Sequence, residues 1–203
     1  MTMQEGNNMD EEMRLKVEIK NIEPLDLMSL TTSLYSFANQ YHRYVILNNL
    51  SYGCDELRLA VREVRSGSTI IELIPQAIGC AIPFIENTNT LLTFAQYLKN
   101  SYLYFLGHTK ESPANLENKD CENFSQIIDP IAKDNGSQIN LVVHEGATVN
   151  FNYNMNSVEA NAIQNGIKKE MEKIVIEKHF SNVPMRWHQI KNESMAKTGD
   201  RSI

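Results

Sequence analysis

The chain has 203 residues, 42% hydrophobic and 22% charged, with 25 acidic against 19 basic side chains and a formal net charge of -6. That length buries a sizeable single core, and the mix is that of a folded soluble domain rather than a disordered or fibrous chain. The negative balance opposes non-specific attraction to phosphate backbones and anionic lipid, which speaks against nucleic acid as a partner.

Residues 1–12 read as a disordered leader: MTMQEGNNMDEE is acidic and polar and lacks the basic and then apolar regions of a secretory signal. RLKVEIK then alternates Leu15, Val17 and Ile19 with Arg14, Lys16, Glu18 and Lys20, the period of two of a half-buried strand. Pro24 and Asp26 punctuate the chain before Leu27, Leu30, Leu34, Phe37, Tyr41 and Val45, spaced as one face of a helix. Leu57, Leu59 and Val61 alternate again and slip to Val64, as a bulge would make them, before the β-branched run Thr69-Ile70-Ile71 resumes. This is a hairpin whose reversal is Ser66-Gly67-Ser68. Gly67 supplies the positive φ, and Gly67→Val is expected to cost stability where Arg65→Ala barely does. An anion site formed by the turn's backbone N–H groups with Arg62, Arg65, Ser66 and Ser68 is the functional alternative. It lacks the G-K-[ST] of a phosphate loop and does not open into a helix.

The most apolar run, TIIELIPQAIGCAIPFI, contains Glu72, Pro75 and Pro83 and is shorter than the ~20 residues a membrane span needs, so no span is expected. From Ile78 to Leu106 the apolar spacing predicts two helical stretches meeting near 87–89. Both are so apolar that the rest of the domain or a partner chain must cover them, and a homo-oligomer is the natural form of the latter. Residues 108–123 read as an exposed loop, 124–133 as a short helix, and Ile139, Leu141 and Val143 as a strand. After a turn at Glu145-Gly146, Val149, Phe151, Tyr153 and Met155 face one way and Asn150, Asn152, Asn154 and Asn156 the other. Ser157 is placed to cap a last helix with a buried stripe of Val158, Ile163, Ile167, Met171 and Ile174.

Strand, helix, hairpin, helices, hairpin, helix predicts an α+β domain over 13–178. A mainly antiparallel sheet of two hairpins plus the N-terminal strand carries helices on one face. Residues 179–203 form an extension with the single tryptophan, Trp187, beside Arg186 and His188; Gly199-Asp200 reads as a turn toward a further element. Trp187 either covers a core edge or anchors a partner. The segments VREVRSGS, TIIELIP, FAQYLKNSYLYFLG and MRWHQ together resemble an uncharacterised family of bacterial proteins, a resemblance that spans most of the chain from Arg14 onward. It implies a bacterial, cytoplasmic origin and carries no activity with it.

Signs of catalysis are sparse. His42, His108, His144, His179 and His188 form no H-x-x-x-H pair, so no helix-borne metal site is encoded, and no nucleophile elbow occurs. Cys54, Cys80 and Cys121 are odd in number and far apart. They suggest neither a disulfide framework nor a cysteine zinc site, and fit a reducing cytoplasm. No cofactor is implied. His144 with Glu145 at a hairpin tip offers acid–base chemistry only if a third group approaches. The reading is therefore a non-catalytic protein-interaction or regulatory module that binds another protein, or its own copy, through the apolar helical surface of the segment Ile70 to Leu106. The alternative is an enzyme or small-ligand or anion-binding domain that unites Arg62, Arg65 and His144 in one pocket.

Overall fold

The computed structural model describes residues 13–50, 54–65, 69–79, 90–145 and 147–180, with side chains to residue 175. Its elements in chain order are β1 (Met13–Lys20), α1 (Leu27–Leu47), β2 (Glu56–Arg65), β3 (Thr69–Ile78), α2 (Thr90–Phe105), α3 (Asn118–Ala132), β4 (Gln138–Glu145), β5 (Thr148–Asn156) and α4 (Ser157–Phe180). The strands make one five-stranded sheet in the order β2-β3-β1-β4-β5, antiparallel at every pairing. The N-terminal strand is thus central, with a hairpin on either side, and the fold is the α+β layer that the element order predicts.

The period of two in β1 decides which side carries the core. Met13, Leu15, Val17 and Ile19 are at most 3% exposed, and their cross-strand partners Ile71, Leu73, Ile139, Leu141 and Val143 join them in one cluster with the helices. The alternate residues Arg14, Lys16 and Glu18 turn to the other face and stay half exposed. Helix α2 lies over β1, β4 and β5, and α3 is flanked by α1 and α4. Leu91, Phe94, Ala95, Leu98 and Tyr102 of α2 are fully buried within the single chain, with Phe94 edge-to-face on Tyr41 at 5.2 Å and Tyr102 edge-on to Phe124 at 5.8 Å. The high apolarity over 90–105 is therefore internal packing; residues 80–89 lie outside those described.

Several expectations shift. Strand β3 continues to Ile78 where a helix was expected. Pro75 is tolerated because β1 pairs with β3 only through Leu73, so beyond that point β3 has a partner on the β2 side alone. The bulge expected in β2 lies between Val61 and Glu63. Helix α3 begins at Asn118 rather than 124, because the Asp120 carboxylate accepts the Glu117 N–H at 2.9 Å and fixes the first turn. The cap of α4 is Asn156, not Ser157: Asn156 accepts the Glu159 N–H and Glu159 accepts the Asn156 N–H, each at 3.0 Å. Strand thus passes into helix without a loop. The Ser157 hydroxyl instead accepts the Gly136 N–H at 3.0 Å. Val158 is 71% exposed, while Ala160, Ile163 and Ile167 carry the buried stripe. Cys54 is disulfide-bonded to a partner outside the described residues, contrary to the reading from cysteine spacing, and Cys121 is free and buried.

Candidate functional site

Among the described residues the helices and the main buried cluster share one side of the sheet; the alternate strand residues on the other side mix charged and amide groups with Ile70, Ile74 and Val142, the last only 6% exposed. The centre of this other side is Glu72 on β3, whose side chain is only 8% exposed. Arg14 Nε approaches Glu72 Oε2 at 3.6 Å, and Arg65 Nη2 lies 3.5 Å from Oε1, so one carboxylate joins β1, β3 and β2. Arg65 also bonds Glu63 at 2.7 Å, which holds the Glu63 carboxyl below its usual range and the guanidinium above its own. Lys16 pairs with Glu18 at 3.3 Å along β1.

On β4, His144 stands opposite Arg14. Burial, then the positive charges of Arg14 and Lys16, push its pKa below the ordinary histidine value, so the imidazole is neutral at pH 7. The edge strand β5 contributes the exposed amides of Asn150, Asn152, Asn154 and Asn156. Asn150 donates to Glu145 at 3.2 Å, whereas Asn152 and Asn154 have no side-chain hydrogen bond among the described residues.

Of the residues singled out from sequence, Arg65 and His144 come to this same face, separated by β3 and β1, roughly 14 Å by strand spacing. Arg62 sits at the β2 bulge, half-buried. Ser66, Ser68, Arg186, Trp187 and His188 lie outside the described residues. Arg62, Arg65 and His144 line none of the clefts formed by the described helices and loops.

The most polar of these clefts, about 490 Å³, opens between α1, α2 and residues 109–115, with Asn48, Gln96, Tyr97, Asn100 and Ser112 in its wall. Behind it runs a buried polar chain that the sequence reading missed. Gln40 Nε2 donates to the Tyr97 hydroxyl at 3.0 Å, and Asn123 Nδ2 donates to Gln40 Oε1 at 3.3 Å. Arg43 is ion-paired with Asp120 and, at 3.3 Å, with Glu117, and it donates to the Asn115 carbonyl at 2.8 Å, which pins the loop. Burial outweighs Arg43 and keeps the Asp120 carboxyl above its usual value; burial likewise pushes Tyr97 to about 12. The available signal was Gln40 itself, an amide within the apolar stripe of Phe37, Tyr41 and Tyr44. A second cleft of about 590 Å³ between α2 and α4 carries Lys110, Lys169, Glu170 and Lys173.

No group of three or more His, Cys, Asp or Glu side chains among the described residues converges as a metal site would. Burial pushes the Cys121 thiol to about 12, far from a nucleophile's range. None of the described helices is long and apolar enough to cross a membrane. No protein-family model, curated protein or solved structure matches the chain.

Proposed function

We propose that the protein is a non-catalytic interaction module that recognises another protein through the face of its sheet that no described helix covers. The observation that carries this reading is the polar row Arg65, Glu72, Arg14 and His144 across four neighbouring strands, continued by Asn152 and Asn154, whose amides have no partner among the described residues. A face with alternating charge and unspent amide donors and acceptors suits the polar part of a protein interface, where complementary charges set register and choice of partner. It does not enclose a small substrate as a catalytic pocket would.

The cleft behind Asn115 favours a second reading, a receptor for a small uncharged polar ligand, since its wall is mostly amides and hydroxyls on a floor fixed by Gln40 and Arg43. Quantitative co-purification from the source organism separates the two. Loss of a partner with Arg65→Glu and His144→Glu, and its retention with Asn100→Trp, supports the face. The reverse pattern supports the cleft and overturns the face.

A further inference from the structure

The two edges of the sheet are built differently. Strand β2, at one end, carries Glu56, Arg58, Arg62, Glu63 and Arg65 and is interrupted by a bulge, the devices that keep an edge from pairing with another chain. Strand β5, at the other end, also shifts register, at Asn150 between Phe151 and Val149, but it runs nine residues, TVNFNYNMN, without a charge, a proline or a glycine. Among the described residues no strand pairs with its outer side. Every second residue from Thr148 to Asn156 is exposed, and Val149 is 54% exposed as well. An edge strand without charge or proline is a template for a further strand, here over its regular part from Phe151 onward.

The residue types of β5 also say which strand. Read outward from Asn152, Phe151 answers Tyr153 and Asn150 answers Asn154; beyond these the register shift at Asn150 sets Val149 opposite His144 and the symmetry ends. Antiparallel pairing of β5 with a two-fold copy of itself, centred on Asn152, would set aromatic beside aromatic on the helix side and amide beside amide on the polar side. Both are favourable cross-strand neighbours. Asn side chains carry donor and acceptor alike, so an amide row complements its own copy, and no like charges meet although the chain's net charge is -6.

We propose that a second copy of this chain occupies the β5 edge, forming a two-fold dimer with a continuous sheet whose central pair is Asn152 with Asn152 of the partner copy. This is a different surface from the apolar 78–106 segment, and it does not rest on the recognition role of Arg65 and His144.

Sedimentation equilibrium across a wide concentration range, with circular dichroism as a check on folding, tests it. The wild type is expected to reach the dimer mass. Asn152→Lys, which sets two ammonium groups face to face on an exposed position, is expected to remain monomeric and folded, and mixing it with Asn152→Glu is expected to restore the dimer. Directly opposed Cα atoms lie about 4.5–5.5 Å apart, within disulfide reach. Asn152→Cys is therefore expected to cross-link to itself under mild oxidation, and Asn150→Cys only when mixed with Asn154→Cys. A wild type that is monomeric throughout, an Asn152→Lys variant that still dimerises, or an Asn150→Cys variant that links to itself as readily as Asn152→Cys would overturn the proposal. The first of these would leave the edge to an extended peptide of another protein.

Discussion

Arg65 reaches across from β2 to within 3.5 Å of the Glu72 carboxylate while itself staying 53% exposed. The two ends of this pair are unequal: Glu72 is buried and needs compensation, whereas Arg65 is solvated and already bonded to Glu63. Removing a solvated partner costs little, and removing the cation that neutralises a buried carboxylate costs more. Arg65→Ala is therefore expected to leave stability nearly unchanged, and Arg14→Ala to lower it by about 1–3 kcal/mol, as read from urea titration. Equal losses would mean that Glu72 does not depend on Arg14.

His144 makes the same face acid-sensitive. Its folded pKa is depressed by burial and then by Arg14 and Lys16, so below the ordinary histidine value, about 6.5, the unfolded chain takes up a proton that the folded chain refuses. Stability is fully present above that pH and falls as pH drops through the depressed folded pKa. His144→Asn should flatten this part of the stability–pH curve. An unchanged curve would assign the acid sensitivity to other groups.

The strands were legible because period-two alternation is a direct consequence of one-sided burial, as in Leu15, Val17 and Ile19, and because the Val61-to-Val64 slip announces its own bulge. Pro75 misled because a proline excludes a strand only where its missing N–H faces a partner, which depends on how far β1 extends. The cleft and its polar chain were not legible. Gln40, Asn123 and Tyr97 come from three helices distant in sequence, and an amide on an apolar stripe does not name its partner. Arg65 and His144 could each be singled out, but their common face follows only from β3 and β1 lying between them.

Gly166 allows α4 to approach the end of α2. A Cβ there would stand 2.1 Å from the Phe105 carbonyl oxygen, a backbone atom that cannot swing aside. Although alanine is the better helix former, Gly166→Ala is expected to destabilise by about 1–3 kcal/mol through overpacking. Thermal unfolding measures it, and a stabilised variant would contradict the close approach.

The described cysteines are protected in different ways. Cys54 is held in a disulfide, while burial keeps the Cys121 thiol protonated, with a pKa of about 12. In oxidised protein at neutral pH, alkylation is expected at Cys54 only after reduction and at Cys121 only after denaturation, read by peptide mass. Modification of Cys121 in the folded, unreduced protein would contradict its burial.

The most direct measurement is lysine-directed cross-linking of the protein to the partner that co-purifies with it, mapped by mass spectrometry. Lys16 and Lys20 lie on the polar strand positions of β1, and Lys110, Lys169 and Lys173 line the cleft between α2 and α4. Links concentrated at Lys16 and Lys20, and weakened by Arg65→Glu, are the predicted result. Links confined to Lys110, Lys169 and Lys173 would contradict the assignment of recognition to the sheet.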